Sequence, residues 1–411
     1  MPYYRRNLYV LSTTIFLTCV SWNQVMPFLP LFMKEMGVTH NLLGWLGWVY
    51  ALQSAASIVA MPFWGKMGDK YGRKPMAVRA GFCLALIYFG MSVCRTPLQL
   101  AVLRFLNGAL TGFIPSSMAL IATNTPDEHA PKSLASAQVA ASAGLIIGPA
   151  IGGGLASLIG FRGSMVLSGA FVFLSAIAVV LFVQERNKAS VVDQTSLIQD
   201  FATAVRSKVL GSIMFTVMVT GIFGAAISPI LVLHLQNMDP HLSPLLAGAV
   251  FSLSPAALVL TAHAWANFGN SKGFHRPIQI GLVGGAVMAM TLTLMPGVWT
   301  FAAAFFISGV FMAAIAPSTS ALICTRVDQA FRGRAYGMQS SAMMIGTVIG
   351  PFIGTRVGAV FGLQYVFLVT GAIMLLGSIG FASLVTRWEP APSAGTPTSF
   401  EPSLQPDTGG E

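Results

Sequence analysis

Charge is so sparse along this chain that it falls into twelve long apolar runs, near residues 8–33, 42–64, 75–94, 98–121, 133–157, 164–184, 209–234, 244–266, 278–296, 299–323, 336–359 and 363–386. Each run is close to the roughly 20 residues a helix needs to cross the hydrocarbon of a bilayer. Transmembrane strands would be about half as long and would alternate strictly. Composition agrees: 9% of the 411 residues are charged and 55% are apolar, with a mean hydropathy of +0.72. Soluble domains carry about 25% charged residues. The expected fold is therefore an all-α membrane protein of twelve transmembrane helices. Disordered, collagen-like and nucleic-acid-binding chains are excluded by the same composition.

The net charge of +10 is a topology signal, because the cations cluster between the apolar runs. With the N-terminus inside, eighteen fall in inner segments, among them Arg5, Arg6, Lys66, Lys70, Arg73, Lys74, Lys132, Arg186, Lys272, Arg332 and Arg334. Only Lys34, Arg95 and Arg162 fall outside. The positive-inside rule then places both termini in the cytoplasm of a bacterial-type inner membrane. The first run is too long for a cleaved leader and is read as a retained helix. Residues 1–184 form a first six-helix bundle, 185–208 a cytoplasmic linker, 209–387 a second bundle and 388–411 a disordered cytoplasmic tail. Leu197, Phe201 and Val205 recur every fourth residue in the linker, the spacing of a short surface helix. The four cysteines (Cys19, Cys83, Cys94, Cys324) form no ligand spacing, and neither a metal nor a cofactor is expected.

The two halves repeat at an offset of 202. Pro27, Pro75, Pro115 and Pro149 match Pro229, Pro277, Pro317 and Pro351, while Gly144, Gly148 and Gly152 match Gly346, Gly350 and Gly354. Two similar bundles joined by a linker can rock about a central site and open it to each side in turn, the device of a secondary transporter. No phosphate-cradling P-loop and no hydrolase or zinc motif is present, so the expectation is a transporter and not an enzyme.

After span two the chain reads Gly65-Lys66-Met67-Gly68-Asp69-Lys70-Tyr71-Gly72-Arg73-Lys74. This resembles the loop 2–3 signature of the Major Facilitator Superfamily, G-x-x-x-D-x-x-G-R-[KR]. Gly65 and Gly72 permit a sharp turn, Asp69 can face a helix N-terminus and Arg73 an acid. The resemblance implies a gate in which Asp69 meets the start of span eleven, near Arg334 to Gly337, with Asp127 or Glu128 pairing Arg73. At the repeat position stand Ser271, Phe274, His275 and Arg276, so the second copy is read as having lost its acid and its glycine.

Span five carries Gly144-x-x-x-Gly148-Pro149-x-x-Gly152-Gly153, which resembles the motif associated with the superfamily's antiporters and implies export. Glycines four apart let a second backbone approach. Met26-Pro27-Phe28-Leu29-Pro30 looks like the double-proline segment of the twelve-span drug:proton antiporters. Arg104, in Leu100-x-x-x-Arg104-x-x-x-Gly108, stands inside an apolar run and resembles the family's span-four arginine, tied to proton coupling. None of the thirteen acids falls in mid-membrane, and Glu35 or Asp69 is left as the carboxylate near a pathway.

Polar candidates at suitable depth for a substrate are Asn23, Gln24, Gln53, Arg104 and Asn107, with Phe113, Phe215, Phe223, Phe251 and Met312 as apolar surface. The first expectation is an exporter of amphipathic small molecules or drugs, driven by protons. The alternatives are a dedicated metabolite exporter, for a siderophore, or a lipid-linked sugar flippase; in a different class stands a receptor or regulator that keeps the fold without transport. Expected partners are the small amphipathic substrate, protons and membrane lipids, and the resemblance implies a monomer.

Overall fold

The computed structural model describes residues 2–110, 112–186, 208–327 and 331–385. Most of the expected linker, with Leu197, Phe201 and Val205, and all of the expected tail lie outside the described residues.

Ten helical stretches are long and apolar enough to cross a membrane. One of them, Ala130–Phe182, runs for 53 residues, far longer than a bilayer is thick. Gly160 divides it with φ 73° and ψ 170°, so it holds spans five (130–159) and six (161–182). His275–Leu292, of 18 residues, supplies span nine and brings the described spans to twelve. The remaining spans are Tyr3–Glu35 (one), Leu42–Tyr71 (two), Arg73–Ser92 (three), Pro97–Asn124 (four), Val209–Ile227 continued by Leu231–Met238 (seven), Pro244–Lys272 (eight), Val298–Arg326 (ten), Arg332–Val360 (eleven) and Tyr365–Val385 (twelve).

Four spans are broken, and they occupy equivalent places in the repeat. Span one turns into a 3-10 segment at Met26–Phe28, beside Pro27 and Pro30. Span seven breaks between Ile227 and Leu231, around Pro229. A proline removes an internal hydrogen bond and clashes with the preceding turn. Spans four and ten break after Ala109 and Met312, the former just before Gly112 at φ 128°. Broken helices at corresponding positions are where transporters of this architecture build their central sites.

Within each bundle the glycine stripes let helices meet backbone to backbone. A methyl group at Gly144, Gly148 or Gly152 would collide with span one, the last at 2.2 Å from Gln24 O. At Gly346, Gly350 or Gly354 it would collide with span seven, the last at 2.1 Å from Ala226 O. Aliphatic side chains such as Val59, Leu86, Leu158, Leu260 and Leu376 are left exposed on the outside of the bundles, as a lipid-facing surface requires.

The repeat is deeper than a constant offset reveals. Trp64 donates to Ala109 O at 2.7 Å and Trp265 to Val310 O at 2.8 Å, a matching pair displaced by one residue from the proline register. In the same displaced register Gly108 faces Gln53 O and Gly309 faces Ser254 O. Gly72 (φ 107°) ends span two, and Gly273 (φ 86°) ends span eight. The second copy therefore keeps its glycine, with Asn270 in the place of Asp69; the one-residue difference in offset between this turn and Pro277 hid the match.

The bundles meet closely at one end. Span two packs on span eleven and span five on span eight. Gly47 lies against Thr355, Trp48 edge-on to Phe352 at 5.1 Å, Gly153 against Pro244 and Gly248 against Pro149. All of these lie at the end opposite the basic loops, here called the far end. At the basic end of spans two and eleven, a methyl group at Gly65, Gly333 or Gly337 would meet nothing within 4 Å.

Candidate functional site: a buried arginine and two gates

Arg104 of span four is 1% exposed. Its Nη2 donates to Met26 Sδ at 2.7 Å, its guanidinium carbon lies 5.8 Å from the Tyr50 ring centre, and its Nε has no partner. No carboxylate stands at mid-depth among the described residues. Asn107, one turn along the same helix, is also 1% exposed with both amide atoms unpartnered. Gln53, where span two crosses span four at Gly108, is 4% exposed with Oε1 unpartnered. Buried polar groups without partners are rare in native proteins, and here three lie along the crossing of spans two and four, with Arg104 reaching the break in span one.

The double-proline segment supplies the acceptor that orders this cluster. Pro30 has no N–H to give to the Met26 carbonyl four residues before it; that oxygen accepts from the Leu29 N–H within the 3-10 turn and from the Tyr50 hydroxyl. Ser228, of the other bundle, is a second polar neighbour of the same hydroxyl. Tyr50 thus joins span one, span two and the bundle interface, one turn below the Gly47 and Trp48 contacts. The sequence reading missed it.

The span-five motif divides its labour. Gly144, Gly148 and Gly152 hold spans one and five together inside a bundle, whereas Pro149 and Gly153 face span eight across the far interface.

At the basic end the geometry differs from the expected latch. Arg73 pairs with Asp69 across the turn, not with Asp127, which is exposed, or Glu128, whose carboxylate lies 3.5 Å from the His129 ring. Helix Leu42–Tyr71 runs straight through Gly65, so only Gly72 makes the turn; a methyl at Gly65 would meet nothing within 4 Å. The acid that serves this turn is Glu185, just past span six. Its carboxylate accepts from the Arg73 and Lys74 backbone N–H groups at 2.6 and 2.9 Å, capping the N-terminus of span three where the helix dipole favours an anion. Around it Asn7 and Gln184 exchange two hydrogen bonds, and Arg186 N donates to Asn124 Oδ1 at 2.7 Å. In the second copy His275 begins span nine.

Other sequence candidates are placed elsewhere. Gln24 binds Ser164 O and Ser168 Oγ of span six, so it is glue inside a bundle; an amide in an apolar bundle finds the nearest helix. Phe113 is buried against Gly81, Phe215 packs on Gly380, and Met312 Sδ on Gly285, each filling space left by a glycine within its own bundle. Asn23 donates to Cys19 O one turn back and lies against Gly148. Phe223 is buried and Phe251 half-buried, in the same apolar core as Tyr50 and Met26. Glu35 lies at the far rim, 3.9 Å from Arg162, with both side chains substantially exposed.

Comparison with known proteins gives a consistent picture. Two solved structures share the architecture: a bacterial homolog of the human lysosomal transporter Spinster in its inward-facing, unoccupied conformation (TM-score 0.79, 12% identity, covering 95% of this chain and 100% of that one) and the nucleoside transporter NupG (TM-score 0.77, 15% identity, 93% and 100%). Among curated proteins, multidrug resistance protein MdtG of Proteus mirabilis (strain HI4320) is 30% identical over 390 residues, 94% of this chain and 96% of that protein. The MdtG of Enterobacter lignolyticus (strain SCF1) is 28% identical over 381 residues, 92% and 91% of the two chains. Residues 11–236 and 209–408 both match the Major Facilitator Superfamily. With its twelve spans, its repeated bundles and relatives that align over nearly its whole length, the chain belongs to the Major Facilitator Superfamily of membrane transporters.

Proposed function

We propose that this protein exports amphipathic small molecules, drugs among them, across a bacterial inner membrane by alternating access in exchange for protons. The observation that carries the reading is the one-sided closure. The bundles meet through Gly47, Gly153 and Gly248 at the far end, whereas Gly65 of span two and Gly333 and Gly337 of span eleven face open space at the basic end, which we assign to the cytoplasm. The printed name of the curated relatives, multidrug resistance protein, supports the choice of cargo.

In the cycle, substrate enters from the cytoplasm beside the breaks in spans one, four, seven and ten. The far gate then opens while the basic ends close. Asp69, released from Arg73 or carrying it along, engages the start of span eleven in that second state, while Glu185 keeps the turn itself rigid. Arg104 couples the proton through its fixed charge, with Glu35 as the carboxylate that takes the proton up and releases it.

Proteoliposomes loaded with a pH-sensitive dye test this. Adding an amphipathic substrate to the wild type is expected to move protons against the direction of substrate, and Arg104→Ala abolishes the movement. Substrate transport with no proton movement would contradict the coupling.

A further inference from the structure

We propose that Arg104, Asn107 and Gln53 form a binding site for the anionic headgroup of an amphipathic carboxylic acid, and that such acids are a preferred substrate class. The inference rests on the export reading and deepens it. A guanidinium buried to 1% exposure needs an anion: desolvating a charge costs far more than a thioether can return. The six described carboxylates (Glu35, Asp69, Asp127, Glu128, Glu185, Asp239) lie at the two ends of the helices. Within the membrane, the partner of Arg104 is Met26 Sδ, one of the weakest acceptors a protein has.

Met26 is suited to yield its place. Its side chain is flexible and unbranched, and it stands at the proline break, where the helix is already interrupted. A carboxylate in that position accepts from the fork of Arg104 in the paired geometry that guanidinium favours. Its second acceptor sites take the Asn107 amide N–H, which has no partner in the protein. The unpartnered oxygens of Asn107 and Gln53 then receive a hydroxyl or amide N–H near the acid group. The Tyr50 ring, 5.8 Å from the guanidinium, gives the apolar body of the molecule a surface beside its head.

The same chemistry accounts for the missing mid-membrane acid. A cationic drug must be pumped out against an inside-negative potential, whereas an anion leaves with it. A site built around an uncompensated arginine selects cargo whose export the membrane potential already favours, and it disfavours cations by repulsion.

Three probes of one shape separate the headgroups: 4-phenylbutyrate, 4-phenylbutanol and 4-phenylbutylamine. Dissociation constants are measured on the full chain in nanodiscs of phosphatidylcholine, a lipid with no net charge. The wild type is expected to bind the acid at least about tenfold more tightly than the alcohol or the amine. Arg104→Gln and Asn107→Leu should each bring that preference below about threefold, while Arg104→Lys keeps part of it through charge without the fork. Each variant is compared at equal thermal stability, and the alcohol serves as the internal control for an intact pocket. Equal affinity for the three heads, preference for the amine, or a preference that survives Arg104→Gln would overturn the proposal. Displacement by chloride or inorganic phosphate at the same concentration as the acid would overturn it too, since the site would then take small anions without regard to the apolar body. The export reading fails separately: drug efflux from cells with no headgroup preference retires the anion site alone, whereas headgroup preference without efflux supports the site and retires export.

Discussion

Gly153→Ala is expected to stop transport while leaving a folded protein. A methyl group there would lie 2.1 Å from Pro244 O and 2.6 Å from Pro244 C, both backbone atoms of the opposing bundle that no side-chain rotation can clear. Overpacking of this kind costs about 1–3 kcal/mol. Because the clash exists only when spans five and eight are closed on each other, the cost falls on one state of the cycle. It shifts the balance between states by about 5–150-fold toward the far-open form. The measurements are the transport rate and the labelling rate, from the far side, of a cysteine placed at Phe352, which rises as the gate is held apart. Gly154→Ala is the control: its methyl would meet Leu245 Cδ1 at 3.5 Å, an ordinary contact, and should change neither quantity.

Gly152→Ala, one residue away, is expected to act on stability and not on the gate. Its methyl would lie 2.2 Å from Gln24 O within its own bundle, so the clash is present whichever way the gates stand. Gly354→Ala is its counterpart, 2.1 Å from Ala226 O. Each should destabilise by about 1–3 kcal/mol, read as a lowered melting temperature in detergent. The two effects should add, since the sites lie in separate bundles with no shared neighbours. Wild-type stability in either variant would mean that these helix crossings are looser than the structure has them.

Spans, repeat and family were legible because they rest on features that a linear pattern records directly: run length, the spacing of glycines and prolines, and the placement of lysine and arginine. Arg104 was legible for the same reason, as a charge where hydropathy forbids one. Side-chain partners were not. Gln24 reads as a cavity amide until span six brings Ser164 and Ser168 to it. Arg73 reads as waiting for Asp127 or Glu128 until the turn at Gly72 folds it back onto Asp69. Glu185 belongs, in sequence, to the linker, and only the return of span six toward span three shows it as a cap. The second-copy glycine was hidden by a one-residue difference in offset, which a search at constant offset cannot follow but the paired Trp64 and Trp265 hydrogen bonds expose.

Alternating closure of the two ends is the claim on which the rest depends, and a pair of distances tests it most directly. In a background without the four native cysteines, one spin-label pair joins Leu158 and His241 at the far end, and another joins Lys70 and Gly333 at the basic end. On adding substrate, or on imposing a pH gradient across the vesicle membrane, the far distance is expected to lengthen as the basic distance shortens, the two changing in opposite senses in the same molecules. Distances that stay fixed, or that lengthen and shorten together, would contradict the account.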